Sequence, residues 1–168
     1  ELRNWNAEGY AAVADHAASH HDMRVLVCGG PSELELDYGR RIEALMREPC
    51  LNLVGKDTLL EMLATLQRAT VLISPDSGPV HMATTVGTPV IGLYATANPD
   101  RTGPYFSREW CVNRYEDASC KFMHKPAADI PWTTQIEYPG VMDLITVDDV
   151  VERIDALMAA GAPRTPTG

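Results

Sequence analysis

The chain has 168 residues and a mass of 18.4 kDa, with 45% hydrophobic and 22% charged residues, which predicts a single domain of ordinary globular composition. Its 14 Lys and Arg residues against 23 Asp and Glu give a formal net charge of −9, which argues against nucleic acid or an anionic membrane surface as a partner. A local anion site remains compatible with this charge, because a few oriented backbone amides can hold one phosphate.

The chain shows no sign of a membrane span or of a metal site. No apolar run approaches the roughly 20 residues that cross a bilayer, and the first residues lack the basic start and apolar stretch of a signal peptide. We therefore expect a cytoplasmic protein without a transmembrane segment. The cysteines have irregular spacings and no CxxC pair, so reduced thiols are expected. His20, His21 and His124 lack a ligand partner at metal-site spacing, so no metal is expected.

Helical and strand-like segments alternate from the start of the chain. Asn6 is a good N-cap for an alanine-rich helix over residues 7–19. Residues 23–28 form a nearly continuous apolar run that stops at Gly29-Gly30-Pro31. This pattern predicts a buried strand followed by a turn.

Capping boxes mark the next two helices. Ser32 with Glu35, and Thr58 with Glu61, have the spacing of a hydroxyl and a carboxylate that close a helix amino terminus. Residues 51–54 form the predicted strand between the two helices. Apolar residues recur at helical spacing, namely Leu34, Tyr38, Ile42, Leu45 and Met46 in the first helix and Leu59, Leu60, Leu63 and Leu66 in the second.

The alternation continues into the second half of the chain and then fades. The predicted elements are strands over 71–73 and 89–94, a helix over 77–86 between them, a strand near 110–113, and a last helix over 147–159 that Thr146 and Asp149 open. From about residue 95 to residue 145 the periodicity is weak and prolines interrupt the pattern. Residues 161–168 are predicted to be a disordered tail.

Apolar strands with helices between them predict an α/β fold. The expected architecture is a Rossmann-like parallel sheet with helices on both faces, formed by residues 1–160 as one domain. In such an open sheet the ligand crevice lies beyond the carboxyl ends of the strands. The loops that follow the strands therefore contain the candidate site.

The loop after the third strand is the sharpest candidate. Ser77 and Gly78 would present backbone N–H groups at the opening of a helix, where the dipole favours an anion. Asp76 places a carboxylate beside the same position, suited to bind hydroxyl groups, and His81 lies one turn further along. Taken alone, Asp76-Ser77-Gly78 fits plain helix capping better than a ligand site, and a lone histidine such as His81 is more often a packed or capping residue than a ligand.

The loops after the first two strands contribute Glu33 and Lys56-Asp57. Each has an ordinary alternative, since Glu33 can stabilise a helix amino terminus and Lys56 can be a solvated lysine. What makes them candidates is that all these loops are expected at the same edge of one sheet. The chain contains no Walker A loop, GxGxxG fingerprint, GxSxG elbow or HExxH motif, which disfavours P-loop, classical NAD, hydrolase and metalloprotease chemistry.

A long signature covers most of the chain. Its parts are Arg3-Asn4-Trp5, Gly29-Gly30-Pro31-Ser32-Glu33, Leu53-Val54-Gly55-Lys56, Asp76-Ser77-Gly78-Pro79-Val80-His81-Met82-Ala83, Gly87-Thr88-Pro89, Pro99-Asp100-Arg101-Thr102-Gly103-Pro104-Tyr105 and Ile145-Thr146-Val147-Asp148-Asp149-Val150. In this order they resemble the C-terminal domain of glycosyltransferase family nine, the ADP-heptose:lipopolysaccharide heptosyltransferases.

The resemblance implies the C-terminal half of a GT-B enzyme, in which this domain binds the nucleotide sugar and an N-terminal domain binds the acceptor. It implies inverting, metal-independent transfer of heptose from ADP-heptose to the lipopolysaccharide inner core, without a cofactor. The full-length enzyme would be cytoplasmic and would work at the inner face of the membrane. We expect the acceptor domain and its acidic general base to be absent from this chain, which leaves no catalytic residue here and an inactive fragment.

The resemblance also implies roles for the residues of the third loop. The amides of Ser77 and Gly78 would hold the diphosphate of the donor. Asp76 would contact the sugar, and His81 would support the phosphate site.

The other matching positions would bind the rest of the donor. Glu33 would bind the ribose hydroxyls, Lys56 and Asp57 would flank the adenine, and Arg3 stands where the family usually has a phosphate-binding lysine. Ala95-Thr96-Ala97 departs from the family's usual Gly-Pro-Thr. Two alternatives therefore stay open: a related glycosyltransferase that uses another nucleotide sugar, and a non-catalytic nucleotide-binding scaffold.

Overall fold

The computed structural model describes residues 2–161, so the predicted tail lies outside the described residues apart from Gly161. The helices are α1 (Ala7–His21), α2 (Glu33–Leu45), α3 (Leu59–Arg68), α4 (Gly78–Thr85), α5 (Pro99–Thr102), α6 (Tyr115–Ala118) and α7 (Val147–Ala159), and the strands are β1 (Val25–Val27), β2 (Cys50–Asn52), β3 (Leu72–Pro75), β4 (Val90–Tyr94) and β5 (Val112–Asn113). Among the helices of residues 2–161, none combines the length and apolar character that a bilayer span requires.

The chain divides into two compact units. The first runs from Asn6 to Met62, and the second comprises Leu2–Trp5 together with the chain from Leu63 onward. The α/β class with parallel strands is confirmed, but the strands pair as two sheets, β1–β2 and β3–β4–β5, where one was expected. A pattern of apolar strands predicts their burial and direction, whereas it does not specify which strands become neighbours.

In the first unit, α1 begins at the predicted cap. The side-chain oxygen of Asn6 accepts the N–H of Gly9 at 2.7 Å, which satisfies one of the unpaired donors of the first turn. Ala7 and Ala11 pack against Ile42 of α2, and their small side chains allow the two helices to approach closely. The alanines of α1 therefore form its contact with α2.

The two predicted capping boxes differ in the structure. The second is complete, because Thr58 N–H donates to the Glu61 carboxylate at 2.8 Å and Glu61 N–H donates to the Thr58 hydroxyl at 3.3 Å. In the first, the Ser32 hydroxyl accepts the N–H of Glu35 at 3.3 Å, but the Glu35 carboxylate bonds to the N–H of Gly30 at 3.1 Å. Glu35 therefore holds the glycine turn after β1.

The predicted burial of the first unit is partly wrong. Leu26 of β1 and Leu51 of β2 lie opposite each other in the parallel pair and are 41% and 51% exposed, although buried strands were expected. Successive side chains of a strand point to opposite faces, so one face of this pair is left unpacked. Exposed leucines also occur at the predicted apolar positions Leu34, Leu45, Leu59 and Leu60.

The second unit is built on β4. This strand lies between β3 and β5, with Ile91 beside Ile73 and Leu93 beside Val112, and all five of its residues are buried. A central parallel strand covered on both faces is expected to be apolar throughout. The continuous apolar run over residues 89–94 therefore predicted this strand correctly.

The weakly periodic segment after β4 folds into short elements around that strand. The predicted strand near residues 110–113 is confirmed as β5. Ile136 is fully buried and its N–H donates to the Thr96 carbonyl at 2.8 Å, while the Tyr115 hydroxyl donates to the Thr134 carbonyl at 2.9 Å. Long-range hydrogen bonds fix this segment, which explains its lack of helical or strand periodicity.

The amino terminus of α7 carries a capping box and an ion pair. Thr146 and Asp149 cap each other's backbone N–H groups, and the Arg114 guanidinium bonds to the Asp149 carboxylate. Partial burial opposes ionisation of Asp149, but the bonds from Thr146 and Arg114 outweigh it and lower its pKa. The pKa of Asp149 is thus lower in the folded state, so its contribution to stability is present above the unfolded value of about 3.9 and is lost as pH falls through the folded value.

Replacing Asp149 with Asn is expected to lower the free energy of unfolding at pH 7 by about 1 kcal/mol, since a cap and an ion pair weaken together. At a pH below the folded pKa of Asp149, parent and variant should be nearly equal in stability. Urea unfolding at pH 7 and at an acidic pH below the folded pKa of Asp149, which a titration of the folded protein locates, measures both values, and Asp148→Asn in the same turn is the matched control. An equal loss at both pH values would contradict the assignment.

Candidate functional site

The turn between β3 and α4 is an uncapped helix amino terminus. Ser77 occupies the N-cap with extended backbone (φ −157°, ψ 164°), yet its side chain makes no capping hydrogen bond. Its hydroxyl instead pairs with the hydroxyl of Ser74 at 2.8 Å. Pro79 has no N–H, and the Val80 N–H donates to the Ser77 carbonyl at 3.2 Å, so the Gly78 N–H is the donor of the first turn that the cap residue leaves to another partner.

Space in front of this turn is open at Gly78. The residue is exposed, and beyond its chain neighbours and the backbone of its own helix a Cβ atom on it would have no heavy atom within 4 Å. Pro79 follows as the second residue of α4, where a missing N–H costs little. The turn thus offers an anion the backbone N–H groups of Ser77 and Gly78 at the positive end of a helix dipole.

Two side chains of the predicted set flank the same turn. Asp76 lies between β3 and α4 and is partly buried, whereas His81 is exposed in the second turn of the helix. Asp76 is close enough to Tyr94 to act on its phenol: burial first, and then the Asp76 carboxylate, raise the pKa of Tyr94. The Tyr94 hydroxyl donates to the Thr102 carbonyl at 3.2 Å.

Tyr94 is a residue that sequence reasoning treated only as part of a strand. It ends β4, and the carboxyl end of a parallel strand is where ligand-facing residues are expected. Its position in the chain could therefore have identified it. In the structure its hydroxyl connects the end of β4 to α5 beside Asp76.

Arg3 lies in the second unit and is already paired. Its Nε atom is 3.5 Å from the Glu137 carboxylate, and both side chains are about half exposed. Trp5, two residues later, is buried, and its indole N–H donates to the Ile145 carbonyl at 2.9 Å. An exposed ion pair of this kind is worth about 0–1 kcal/mol, so the contact with Glu137 holds Arg3 only weakly.

The part of the signature over residues 99–105 contains a glycine that close packing requires. A Cβ atom on Gly103 would collide with the Pro99 carbonyl oxygen, so only glycine fits there. Ala95, Thr96 and Ala97 are buried in the second unit. The loop in which the sequence departs from the family pattern is therefore part of the packed interior.

The predicted residues of the first unit have different surroundings. Glu33 is exposed as the first residue of α2. The Lys56 ammonium donates to the Asn52 carbonyl at 2.7 Å, which ties the loop to the end of β2. Asp57 is partly buried, and within the described residues its Oδ2 atom is buried without a hydrogen-bond partner. Burial, and then the charge of Asp57, raise the pKa of Cys28.

Two glycine turns lie beside these residues. The N–H of Gly55 donates to the Gly29 carbonyl at 2.9 Å, and Gly55 has φ +71°, a conformation that favours glycine. Glu35 holds the N–H of Gly30. Sequence reasoning gave Glu35 a capping role only, because a carboxylate three residues after Ser32 satisfies that motif equally well.

Each unit contains part of the predicted set. The first unit contains Glu33, Lys56 and Asp57, and the second contains Arg3, Asp76, Ser77, Gly78 and His81. Within the second unit the structure brings Asp76, Ser77 and Gly78 into one turn, with His81 one helical turn away. That turn can bind an anion through main-chain donors, with a carboxylate beside it for hydroxyl groups.

Known proteins resemble the chain in sequence and in fold. The sequence model of Glycosyltransferase family 9 (heptosyltransferase) matches residues 2–129. Over 155 residues the chain is 39% identical to the lipopolysaccharide core heptosyltransferase OpsX of Haemophilus influenzae, a match that covers 92% of this chain and 44% of that protein.

Two solved structures share the fold over 95% of this chain and 43% of their own. They are a family 9 glycosyl transferase from Veillonella parvula (TM-score 0.71, 24% identity) and the ADP-heptose lps heptosyltransferase II of E. coli (TM-score 0.70, 22% identity). These family 9 enzymes have a GT-B fold. The chain thus spans less than half the length of the relatives it matches.

Proposed function

The chain belongs to glycosyltransferase family 9, the heptosyltransferase family, and on this premise we propose that it binds the nucleotide-sugar donor, ADP-heptose, in an enzyme that transfers heptose to the lipopolysaccharide inner core. The acceptor and the general base belong, in this proposal, to the rest of a full-length enzyme. The single observation that carries the proposal is the open amino terminus of α4 at Ser77 and Gly78.

The proposed chemistry follows from where charge develops. As the sugar leaves the donor, negative charge accumulates on the departing diphosphate. N–H groups held in place at a helix start stabilise that charge without having to reorganise. In this proposal the Asp76 carboxylate accepts hydrogen bonds from the hydroxyl groups of the sugar. His81 supports the phosphate site, and Arg3 adds a positive charge there when its guanidinium leaves Glu137.

The nucleoside is assigned to the loops of the first unit. Among the described residues 2–161, one buried carboxylate oxygen of Asp57 has no hydrogen-bond partner, which an adenine amino group would satisfy. Glu33 has an exposed carboxylate suited to the two ribose hydroxyls. Lys56 is held by the Asn52 carbonyl and is assigned to the edge of the adenine through its position next to Asp57.

Two other functions compete with this one. A related glycosyltransferase would use another nucleotide sugar, and the departure at Ala95-Thr96-Ala97 is the observation that favours it. Since this loop is buried, it would alter sugar choice through the packing behind Tyr94. A non-catalytic scaffold would bind the nucleotide without discriminating among sugars.

Calorimetric titration with ADP-heptose, ADP and a panel of other nucleotide sugars tests the proposal. We expect ADP-heptose and ADP to bind, and we expect nucleotide sugars that carry a base other than adenine to bind much more weakly. Preference for a different sugar would favour the related transferase, and equal binding of all ADP-sugars would favour the scaffold. No heat with ADP-heptose, while a full-length family member binds it, would contradict donor binding.

Ser77→Ala is the matched variant for the main-chain assignment. The Ser77 hydroxyl bonds to Ser74 and caps no helix N–H, so its removal leaves the amides in place. We expect ADP affinity to stay within about twofold of the parent, a difference of about 0.4 kcal/mol. A loss of binding in this variant would mean that the side chain, and not the backbone, holds the phosphate.

A further inference from the structure

The arginine in the part of the signature over residues 99–105 has no partner. Arg101 lies in α5, and its side chain is partly buried. Within the described residues 2–161 its Nε atom is buried without a hydrogen-bond partner, and its guanidinium forms no ion pair with a carboxylate. Arg108, by contrast, donates to the Asp100 carbonyl at 3.1 Å. A buried N–H group without an acceptor costs free energy, so its presence in a folded protein needs an explanation.

The backbone that carries Arg101 is held at both ends of α5. The Arg101 N–H donates to the Asn98 carbonyl at 3.0 Å, and the Asn98 side chain accepts the N–H of Asp100 at 2.9 Å. At the other end, the Gly103 N–H donates to the Pro99 carbonyl at 2.8 Å. The position of Arg101 is therefore fixed by main-chain bonds that do not involve its guanidinium.

Arg101 lies at the carboxyl edge of the sheet in the second unit. Pro75 of β3 lies beside Leu93 of β4, so the two strands end next to each other. The Tyr94 hydroxyl, at the end of β4, donates to the carbonyl of Thr102, which directly follows Arg101. In an open parallel sheet this is the edge at which ligands bind. The segment of Arg101 and the open turn before α4 therefore belong to the same edge.

A tyrosine lies near the Arg101 guanidinium. Burial raises the pKa of Tyr115, and the charge of Arg101 opposes that rise. The Tyr115 hydroxyl donates its proton to the Thr134 carbonyl at 2.9 Å. Because a phenol with a raised pKa is uncharged at pH 7, it does not balance the positive charge of the arginine. That charge is therefore available to an anion.

We propose that Arg101 binds the diphosphate of the nucleotide-sugar donor through Nε and the adjacent Nη atom of its guanidinium. This role rests on the proposed function, in which the N–H groups of Ser77 and Gly78 hold the same diphosphate. A guanidinium stays charged and donates two parallel hydrogen bonds to phosphate oxygens, which an ammonium cannot do. A phosphate oxygen supplies the acceptor that Nε lacks. The fixed positive charge then stabilises the negative charge that grows on the departing diphosphate.

Calorimetric titration of the chain with ADP and with adenosine tests this role, because only ADP carries a diphosphate. Arg101→Gln is expected to weaken ADP binding about tenfold or more and to leave adenosine binding within about twofold of the parent. Arg101→Lys retains the charge but lacks the planar fork, so its ADP affinity should lie between those of the parent and Arg101→Gln. The matched control, Arg153→Gln, removes the same charge from an exposed position of α7 and should change ADP affinity less than about twofold.

Thermal unfolding separates ligand binding from a purely structural role. Without ADP, Arg101→Gln should unfold at the midpoint of the parent or above it, because the substitution breaks no hydrogen bond of the side chain and removes a buried unpaired donor. With ADP, the midpoint of the parent should rise more than that of the variant. A lower midpoint of Arg101→Gln without ADP would indicate a structural role and would overturn the proposal.

The binding data distinguish failure of this role from failure of donor binding. If the parent binds ADP, three results would each overturn the role of Arg101 and leave donor binding intact: unchanged ADP affinity in Arg101→Gln, full affinity in Arg101→Lys, or an equal loss in Arg153→Gln. Equal losses of ADP and adenosine binding in Arg101→Gln would also overturn it, because the substitution would then disturb the nucleoside site. A parent chain that does not bind ADP would overturn donor binding and the role of Arg101 together.

Discussion

Replacing Trp5 with alanine is expected to lower the free energy of unfolding of the second unit by about 3–5 kcal/mol, the range for removing a large buried aromatic side chain. Trp5 is 1% exposed, and its indole N–H donates to the Ile145 carbonyl at 2.9 Å in the interior. The substitution leaves a cavity and a buried carbonyl without its donor. The two partners are 140 positions apart in the sequence, so this bond joins the amino-terminal segment of the second unit to its carboxyl-terminal part.

Two variants separate the contributions to this loss. Trp5→Phe retains much of the buried volume but removes the donor to Ile145, so we expect a loss of about 1–3 kcal/mol. Leu2→Ala alters a residue that is 40% exposed and should change stability by less than about 0.5 kcal/mol. Urea unfolding followed by far-ultraviolet circular dichroism measures all three. A Trp5→Ala variant as stable as Trp5→Phe would show that the packing of the ring contributes little.

Trp5 also bears on donor binding. Arg3 lies two residues before it, so the buried indole fixes where the guanidinium stands beside Glu137. If Arg3 binds phosphate as proposed, Trp5→Phe should weaken ADP binding less than Trp5→Ala does. The basic residue and the tryptophan of the signature would then act together, one as ligand and the other as anchor.

Local features of the fold could be read from the sequence because they depend on neighbouring residues. Asn6, Thr58 and Thr146 each cap the helix that their motif predicted, since the cap and its N–H partner lie within three residues. The exposure of Leu59 and Leu60 could not be predicted in this way. Apolar spacing identifies a helix, whereas burial requires a partner elsewhere in the chain.

The candidate site likewise contains features that could be predicted from the sequence and features that could not. The open turn at Gly78 was predictable, because a glycine in the first turn of a helix after a strand specifies main-chain donors without a side chain over them. The partners of Ser77 and Lys56 were not. A hydroxyl and a flexible ammonium can each turn to different partners, and the folded backbone pairs Ser77 with Ser74 and Lys56 with the Asn52 carbonyl.

The sharpest test of the donor site is Gly78→Val, for which we expect ADP affinity to fall about 10- to 100-fold with the fold intact. A charge-assisted hydrogen bond contributes about 1.5–3 kcal/mol, and the isopropyl group would occupy the space from which the diphosphate reaches the N–H groups. Stability should be unchanged or slightly higher, since beyond the chain neighbours and the backbone of α4 no heavy atom lies within 4 Å of the new Cβ, and valine is a better helix residue than glycine.

Thr85→Val is the control for this substitution, because it places the same side chain at the exposed carboxyl-terminal end of α4. Calorimetry with ADP and thermal unfolding of each variant give affinity and stability separately. Unchanged affinity in a folded Gly78→Val variant would remove the diphosphate from this turn. If Gly78→Val loses affinity for ADP and Ser77→Ala keeps it, the binding is assigned to main-chain donors. The first substitution places a side chain over the helix start, whereas the second only removes a hydroxyl and leaves the N–H groups accessible.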